Sequence, residues 1–280
     1  NYPAQKNILS CIYEGIMVPI DAGLRIETRY FINTQQRPEA KAMIRSLFLS
    51  TQALSKGANR PAGYPKYALN KVAVIGAGLM GAGIAYEQAR AGIETILVDV
   101  SVENAEKGKD YSRKLVEKNV SRGKMTQEKG DALLALIKPT ANYDDFKGAD
   151  LVVEAVFENP ELKAQITKLA EAQLSDTAVM GSNTSTLPIT GLAEASVRPA
   201  NFIGIHFFSP VERMGLVEII SGKETSEETL AKTIDYVLAI RKTPIVVNDS
   251  RGFYTSRCFG TYTQEGLEML GEGIKPAIIE

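Results

Sequence analysis

Short, continuous apolar runs alternate with stretches of helical periodicity over most of the chain beyond residue 70. The runs lie at 71–75, 95–100, 151–156, 178–180, 202–205, 216–220 and 244–247. Such runs are typical of strands that are buried on both faces, as in a parallel sheet covered by helices. Between them, the spacing of apolar positions predicts helices at 79–91, 102–122, 161–174 and 226–240. The alternation predicts an α/β fold with a Rossmann-like, doubly wound, mostly parallel sheet.

The two ends of the chain have a different texture. Residues 40–49 have helical spacing, and residues 56–65 are dense in Gly and Pro, which is typical of a loop or linker. After Asn248 the pattern is helical to the end of the sequence. We therefore predict a helical and linker segment at 1–66, a Rossmann domain at 67–249 and the start of a truncated helical domain at 250–280. The start without Met and the abrupt end are expected of a piece of a longer protein.

Composition narrows the class of protein. The 44% of hydrophobic and 23% of charged residues are ordinary for a globular domain. The net charge of -1 gives no reason to expect nucleic acid as a partner. Cys11 and Cys258 are too few and too far apart for a disulfide framework or a metal site. We therefore expect no metal. No apolar run approaches the ~20 residues that cross a bilayer, so we also expect no membrane span.

A glycine pattern directly after the first apolar run predicts a dinucleotide site. Gly76, Gly78 and Gly81 form G-x-G-x-x-G, and Leu79 and Met80 open the following helix. The first glycine permits a tight turn, the second lets the backbone approach a pyrophosphate, and the third lets helix and strand pack closely. The amides at the helix N-terminus favour the phosphates. A glycine turn without a nucleotide, or an FAD site, would share the pattern.

The second apolar run contains, near its end, an acidic residue that bears on the choice of cofactor. Asp99 lies 18 positions beyond Gly81. A carboxylate there accepts hydrogen bonds from the adenosine ribose hydroxyls and repels a 2′-phosphate. No Arg follows closely, so the sequence favours NAD over NADP. In a protein without a nucleotide, Asp99 would cap a helix instead.

One histidine and one glutamate are the candidates for acid–base chemistry. His206 is the only histidine in the chain and ends an apolar run, and Glu218 lies 12 positions later inside another run. Imidazole titrates near neutrality and can accept an alcohol proton as hydride leaves. A carboxylate in an apolar strand is costly to bury unless it is paired. The spacing alone does not show that the two side chains are in contact. His206 also fits a core position, and Glu218 also fits a solvent-facing one.

Other polar residues near strand ends have competing interpretations. The hydroxyl and amide side chains at 182–186 fit contacts to substrate or nicotinamide, but the sequence favours capping of a helix ahead of Pro188. Glu154 and Glu158, at the end of the third run, also fit solvated loop charges. The basic helix at 107–129 predicts a solvated face rather than a site for CoA phosphates.

Taken together, four motifs resemble L-3-hydroxyacyl-CoA dehydrogenase. They are the glycine pattern at 76–81, Val-Glu-Ala-Val-x-Glu at 153–158, Ser-Asn-Thr-Ser at 182–185, and the stretch from His-Phe-Phe-Ser-Pro at 206–210 to Leu-Val-Glu at 216–218. The match runs in order over roughly residues 67–270. The residues before it resemble the end of the enoyl-CoA hydratase region, plus the connecting segment, of multifunctional α-subunits of fatty-acid oxidation. The hydratase active site would then be absent from this chain.

The resemblance implies a reaction and a role for each candidate. The reaction is the NAD-dependent oxidation of (3S)-3-hydroxyacyl-CoA to 3-oxoacyl-CoA in β-oxidation, with His206 as base and Glu218 as its partner. Ser185 matches the serine that contacts the 3-oxygen of the substrate. Asp99 matches the ribose-binding acid. The positions that match the nicotinamide side of the family's site are Glu158, Lys163 and Asn183.

The resemblance also implies partners and a compartment. They are a homodimer through the helical domain, a thiolase β-subunit in the full complex, and bacterial cytoplasm or, in a eukaryote, the mitochondrial matrix. Two other interpretations stay open. One is a non-catalytic NAD-binding fragment. The other is a different NAD-linked hydroxy-acid dehydrogenase, which would not account for the stretch from His206 to Glu218.

The chain departs from the monofunctional members at two positions. They carry Asn where this chain has Ser209, and Val-Asn-Arg where it has Thr-Ser-Arg at 255–257. Both changes resemble the multifunctional branch and leave the roles of Ser209 and Ser256 open. Gly215 stands where related subunits often have Pro. We expect the glycine to loosen the turn into Glu218.

Overall fold

The computed structural model describes residues 2–280. The chain forms two compact units, one up to Lys56 and one from Gly57 to Glu280. This division does not test the predicted boundaries of the three parts at 1–66, 67–249 and 250–280. Those boundaries stay a prediction.

The first unit is helical. Its elements are α1 (Pro3–Gly15), α2 (Ile20–Gln35), α3 (Pro38–Met43), a π-helical stretch (Ile44–Ser50) and α4 (Thr51–Ser55). Glu14 of α1 accepts hydrogen bonds from Arg29 and Tyr30 of α2, and this cluster joins the two helices. The helix predicted over 40–49 lies within the continuous helical run from α3 to α4.

The second unit is built on one eight-stranded sheet. Its strands are β1 (Lys71–Ile75), β2 (Glu94–Val98), β3 (Ile137–Thr140), β4 (Leu151–Glu154), β5 (Val179–Ser182), β6 (Phe202–Phe207), β7 (Leu216–Ser221) and β8 (Thr243–Asn248). The strand order is β3-β2-β1-β4-β5-β6-β7-β8. Only the β6–β7 pair is antiparallel. The predicted Rossmann-like, mostly parallel fold is confirmed. The sequence pattern did not predict the edge strand β3. Only Ile137 of its residues is buried, so the strand has no apolar run, and it contains Pro139.

Helices cover both faces of the sheet. They are α5 (Leu79–Arg90), α6 (Val102–Ser121), α7 (Gln127–Leu136), α8 (Pro160–Glu171), α9 (Ile189–Ala193) and α10 (Glu227–Ala239), with short 3₁₀ turns at Tyr143–Phe146 and Pro199–Asn201. Two further helices, α11 (Thr255–Gly271) and α12 (Pro276–Ile279), follow the last strand and contain no buried residue. The helix predicted at 102–122 is confirmed as α6, whereas a single basic helix over 107–129 is wrong, since α6 and α7 divide this stretch. Gly123 lies between them at φ 67°, a conformation that commonly ends a helix.

The core lies on both sides of the sheet. In β1, Val72 and Val74 belong to one buried apolar cluster, whereas Ala73 and Ile75 belong to the other. This alternation follows from the opposite directions of successive side chains in a strand. The parallel strands then end at one edge of the sheet, where ligands bind in open α/β folds.

The Gly- and Pro-rich stretch at 56–65 is a loop, as its composition predicts, but it is firmly anchored. Arg60 donates from Nε to Asp235 Oδ1 at 2.8 Å and from Nη2 to Asp235 Oδ2 at 2.9 Å. The amide of Tyr67 donates to the same Oδ2 at 2.8 Å. Paired Arg–carboxylate bonds of this kind fix orientation as well as position. They tie the loop that precedes β1 to α10.

Two kinds of feature are absent from residues 2–280. No helix in this range combines the length and the apolar character needed to span a membrane. No group of His, Cys, Asp and Glu in the same range is arranged to bind a metal ion.

Candidate active site

The turn between β1 and α5 can be made only by glycine at two positions. Gly76 has φ 95°, and a Cβ placed on it would lie 2.7 Å from the carbonyl oxygen of Ala155. A Cβ on Gly81 would overlap the carbonyl oxygen of Gly76. The helix therefore packs directly on the turn that precedes it, as the glycine pattern predicts.

The same turn leaves room where a pyrophosphate is expected. A Cβ on Gly78 would meet no protein atom within 4 Å. Gly78 is also the N-cap of α5 and provides no side-chain cap, so the first amides of the helix, at Leu79 and Met80, lack a capping partner. An open approach and uncapped amides fit the pyrophosphate of NAD.

Asp99 follows β2 and is fixed beside the glycine turn. Its Oδ2 accepts from the amide of Ala77 at 2.8 Å, and its Oδ1 accepts from the amide of Val100 at 2.8 Å. The side-chain amide of Asn104 also donates to Oδ1, at 3.3 Å. An ionised carboxylate has about four acceptor sites, so Asp99 retains capacity for one ribose hydroxyl, or for a second if it displaces Asn104. The alternative role of helix cap is filled by Ser101, whose hydroxyl accepts from the amide of Asn104 at 3.2 Å.

The structure joins the two residues that sequence spacing left apart. His206 lies opposite Glu218 in the antiparallel β6–β7 pair. His206 Nδ1 lies 2.7 Å from Glu218 Oε2. Both residues are buried, with exposures of 7% for His206 and 0% for Glu218. The glutamate therefore does not face solvent, and its burial is compensated by a hydrogen-bonded partner.

Glu218 is also held by the start of α11. Its Oε1 accepts from the amides of Thr255 at 2.9 Å and Tyr254 at 3.2 Å, and its Oε2 accepts from the Thr255 hydroxyl at 2.8 Å. Burial opposes ionisation of Glu218, but the hydrogen bonds from His206 and Thr255 outweigh it and hold its pKa below the usual value. The group behind the imidazole is thus a stable carboxylate.

The imidazole borders a cleft of about 420 Å³ that reaches the glycine turn. Its lining residues are Met80, Ala155, Val156, Phe157, Glu158, Asn183, Ser185, His206, Phe207, Phe208 and Ser209. Phe208 packs on the His206 ring with 4.6 Å between ring centroids. Because Met80 belongs to the first turn of α5, one cleft joins the candidate base to the dinucleotide site.

Glu158 and Ser185 lie on the polar side of this cleft. Glu158 Oε1 accepts from the Ser185 amide at 2.7 Å and from its hydroxyl at 3.1 Å, and Oε2 accepts from the Thr184 hydroxyl at 2.9 Å. Burial raises the pKa of Glu158, but the bonds from Ser185 and Thr184 and the charge of Lys163 bring the net pKa below its usual value. Glu158 is half-exposed, but it is bonded in place rather than free in solvent.

Lys163 lies beneath the cleft and does not line it. Its Nζ donates to Glu154 Oε1 at 2.7 Å and lies 3.6 Å from Glu158 Oε2. Glu154 is 1% exposed and also accepts from the Ser182 hydroxyl at 2.7 Å. A solvated role for Glu154 is therefore wrong, and it forms a buried ion pair with Lys163 instead.

The amide and hydroxyl residues at 182–186 precede α9 but do not cap it. Asp249 accepts from the amides of Ile189 at 2.7 Å and Thr190 at 2.8 Å, and so caps α9. Asn183 instead accepts from the amide of Phe207 through Oδ1 at 2.8 Å. Within residues 2–280 no group accepts from Asn183 Nδ2, which leaves that donor for a ligand in the cleft.

Sequence reasoning missed Thr255 as a partner of Glu218. A signal was available, because a buried carboxylate has more acceptor sites than one imidazole can fill. The hydroxyl and amide donors at the start of the following helical segment were among the candidates to fill them. Their approach depends on tertiary packing across more than thirty residues, which periodicity does not show.

Comparisons with known proteins identify the family of the chain. Residues 71–250 match the family model "3-hydroxyacyl-CoA dehydrogenase, NAD binding domain". The chain is 41% identical over 261 residues to a fatty acid oxidation complex subunit alpha of Psychrobacter arcticus, an alignment that covers 93% of this chain and 36% of the relative. A subunit of the same name from Shewanella loihica is 42% identical over 98% of this chain and 38% of its own length. The chain thus spans little more than a third of these relatives.

Solved structures share the fold. The (S)-3-hydroxybutyryl-CoA dehydrogenase of Ralstonia eutropha has a TM-score of 0.72 and 36% identity, and the match covers 74% of each chain. The dehydrogenase part of multifunctional enzyme 1 from C. elegans has a TM-score of 0.63 and 27% identity, with 80% of this chain and 53% of that one covered. The family match, which spans more than half of the sequence, shows that this chain belongs to the 3-hydroxyacyl-CoA dehydrogenase family, with NAD as its cofactor.

Proposed function

We propose that the chain oxidises (3S)-3-hydroxyacyl-CoA to 3-oxoacyl-CoA with NAD as the dehydrogenase region of a fatty-acid β-oxidation enzyme. The observation that carries the proposal is the 2.7 Å contact between His206 Nδ1 and Glu218 Oε2, placed in a cleft that also includes Met80 of the glycine turn. Family membership and the relatives' name support the same activity.

The pair accounts for the proton that the reaction releases. Bound NAD supplies the hydride acceptor. Because Nδ1 donates its proton to Glu218, the other ring nitrogen of His206 carries the lone pair. Within residues 2–280 no protein group bonds to Nε2, so it is free to take the hydroxyl proton of the substrate. The carboxylate then stabilises the imidazolium that forms.

Ser185 is the proposed contact to the 3-oxygen. Its hydroxyl now donates to Glu158, so donation to a substrate requires it to rotate away. Glu158 keeps two other donors when this happens, the Ser185 amide and the Thr184 hydroxyl, and the rotation leaves no carboxylate oxygen stranded. The free Nδ2 of Asn183 is a second donor on this side of the cleft.

We propose that NAD contacts Gly76, Gly78, Gly81 and Asp99. Glu158 and Asn183 are proposed to lie on its nicotinamide side. Lys163 is proposed to act on the cofactor through Glu158, since its ammonium group is buried between two carboxylates. This role differs from the direct contact that the resemblance implies.

The organisation of the whole protein is also a proposal. We infer a hydratase-derived and linker segment at 1–66, the NAD-binding domain at 67–249 and a helical dimerisation domain from 250 onward. Exposed apolar side chains along α11, among them Phe259 and Leu267, support a homodimer. The relatives' name, subunit alpha of a complex, supports a partner subunit, which we propose to be a thiolase β-subunit. Their bacterial origin supports the cytoplasm, with the mitochondrial matrix as the eukaryotic counterpart.

His206→Gln in the full-length enzyme tests the proposal. Loss of the base is expected to lower kcat by about 10²–10⁴, with NADH affinity unchanged. Lys107→Ala, on the exposed face of α6, is the matched control and should leave both quantities unchanged. Turnover of a 3-hydroxyacyl-CoA at the wild-type rate by the His206 variant would refute the assignment. Faster oxidation of free hydroxy acids than of CoA thioesters would favour another dehydrogenase.

A further inference from the structure

We infer that the side-chain hydroxyl of Thr255 is a positioning group for the His206–Glu218 pair and controls how strongly the carboxylate binds the imidazole. The inference rests on the proposed function, because it concerns the base of that reaction. Thr255 does not touch the cleft, so its role is to act through Glu218.

The geometry places Thr255 on both oxygens of the acid. Its hydroxyl lies 2.8 Å from Oε2, the same oxygen that His206 Nδ1 approaches at 2.7 Å. Its amide lies 2.9 Å from Oε1. With the Tyr254 amide at 3.2 Å from Oε1, four donors surround one carboxylate of 0% exposure. Both oxygens of the carboxylate are therefore held by protein donors, and water does not compete.

Sharing of Oε2 has an electrostatic consequence. A hydrogen bond to an ionised carboxylate withdraws part of the charge that would otherwise act on the neighbouring imidazolium. Removal of the hydroxyl leaves that charge concentrated on the bond to His206. The imidazolium form of His206 should then be favoured, and the ring should keep its proton to higher pH.

Other titratable groups around the pair do not account for such an effect. Glu158 faces the same cleft from the loop after β4, with Lys163 beneath it. Tyr254 and Arg257 lie beside Thr255 in the sequence, and Asp249, after β8, caps α9. None of their side chains donates to or accepts from His206 or Glu218 among residues 2–280, and Tyr254 reaches Glu218 only through its backbone amide.

Thr255→Val is the informative variant, because valine keeps the β-branched shape and loses only the hydroxyl. The amide bond from residue 255 to Glu218 does not depend on the side chain and is retained. Thr255→Ser keeps the hydroxyl and is the matched rescue. Because His206 is the only histidine in the chain, histidine-selective NMR labelling of the 280-residue protein reports its titration without assignment.

For Thr255→Val, the midpoint of the His206 titration is expected to move to higher pH by about 0.5–1 pH unit. In the full-length enzyme the acid limb of the kcat profile should move in the same direction. On the acid limb of that profile, kcat should fall about three- to tenfold while the KM for NAD stays constant. Thr255→Ser should restore the wild-type midpoint and rate.

The NMR titration keeps this inference separate from the proposed function. An unchanged or lower midpoint in Thr255→Val would overturn the inference even if the enzyme oxidises 3-hydroxyacyl-CoA as proposed. A raised midpoint that serine fails to restore would also overturn it, because the effect would then come from packing. A raised midpoint restored by serine would support it even in a protein without acyl-CoA turnover, an outcome that would count against the proposed function alone.

Discussion

His206 and Glu218 are direct neighbours across the antiparallel β6–β7 pair, and their side chains meet at 2.7 Å. Residues opposite each other on such a pair point to the same face of the sheet. The contact is therefore set by the register of two central strands rather than by a mobile loop. We expect the pair to be preorganised before any ligand binds.

This arrangement makes Glu218→Gln a test of orientation. Glutamine has nearly the same shape, but its amide cannot replace the carboxylate as a charged acceptor for Nδ1–H. The ring then loses its fixed tautomer and its electrostatic support. We expect kcat to fall on the order of 10²–10⁴, by analogy with the loss of the acid in serine hydrolase triads.

Steady-state kinetics with 3-hydroxybutyryl-CoA would measure the effect, and NADH fluorescence titration would serve as the folding and binding control. A Glu218→Gln enzyme within threefold of wild-type kcat would argue that the carboxylate only fills space.

The glycine turn permits a matched comparison of two substitutions. Alanine at Gly81 would overlap the Gly76 carbonyl and force the helix away from the turn, whereas alanine at Gly78 would meet no protein atom within 4 Å. We expect Gly81→Ala to lose about 1–3 kcal/mol of stability as well as NAD binding. Gly78→Ala should keep its stability and lose NAD affinity, because its methyl group enters the space for the pyrophosphate.

Urea unfolding and NAD titration of both variants would separate these effects. Equal destabilisation by the two substitutions, or unimpaired NAD binding in Gly78→Ala, would contradict this account of the turn.

The elements that sequence patterns predicted well are those whose signal is local. Each buried strand from β1 to β8, apart from β3, is an apolar run, and the glycine pattern fixes the turn after Ile75. β3 failed because an edge strand with Pro139 has little burial to impose on its sequence. The break between α6 and α7 includes Gly123, which has a positive φ. The run of basic residues around Gly123 gave no sign of this break.

The site was predicted less completely, because its contacts join distant parts of the chain. Residue types indicated His206 and Glu218, but only the strand register brings them together. Glu154 was ambiguous for the same reason, since its partner Lys163 lies on a helix and its environment depends on packing. Asp249 replaced local capping residues at α9 from a position about sixty residues away.

Asp99 should determine the preference for NAD over NADP. Asp99→Asn keeps an oxygen that can accept from the Ala77 amide, but removes the charge that repels a 2′-phosphate. We expect the KM for NAD to rise roughly tenfold, as for a weakened hydrogen bond to a charged group. The preference for NAD over NADP, measured as a ratio of kcat/KM values, should fall. Rejection of NADP that is as strict as in the wild type would place the selectivity elsewhere.

The buried Lys163–Glu154 pair should matter for stability more than any surface pair. Lys163→Met leaves the Glu154 carboxylate buried without its 2.7 Å partner, and removal of one member of such a pair costs about 3–5 kcal/mol. The exposed Lys107–Glu103 pair is the control, and Lys107→Ala should change the free energy of unfolding by less than about 1 kcal/mol.

A double variant, Lys163→Met with Glu154→Gln, should recover part of the loss, because neither charge is then left alone. Urea unfolding of the double variant and of the two single variants, Lys163→Met and Glu154→Gln, would measure this coupling. Additive losses in the double variant would show that the two residues stabilise the fold independently.

Acid should weaken the fold through the two glutamates of the site. The pKa values of Glu218 and Glu158 are both held below the ordinary value of 4.5. A carboxylate with a lowered folded-state pKa adds stability that is complete above its unfolded pKa and is lost as the pH falls through the folded one. The free energy of unfolding should therefore decline as the pH drops below about 4.5. Urea unfolding between pH 7 and pH 3.5 would measure it.

The Glu158→Gln, Glu218→Gln double variant should start less stable and show a shallower decline, because both carboxylates are gone. A decline equal to that of the wild type would assign the acid sensitivity to other groups.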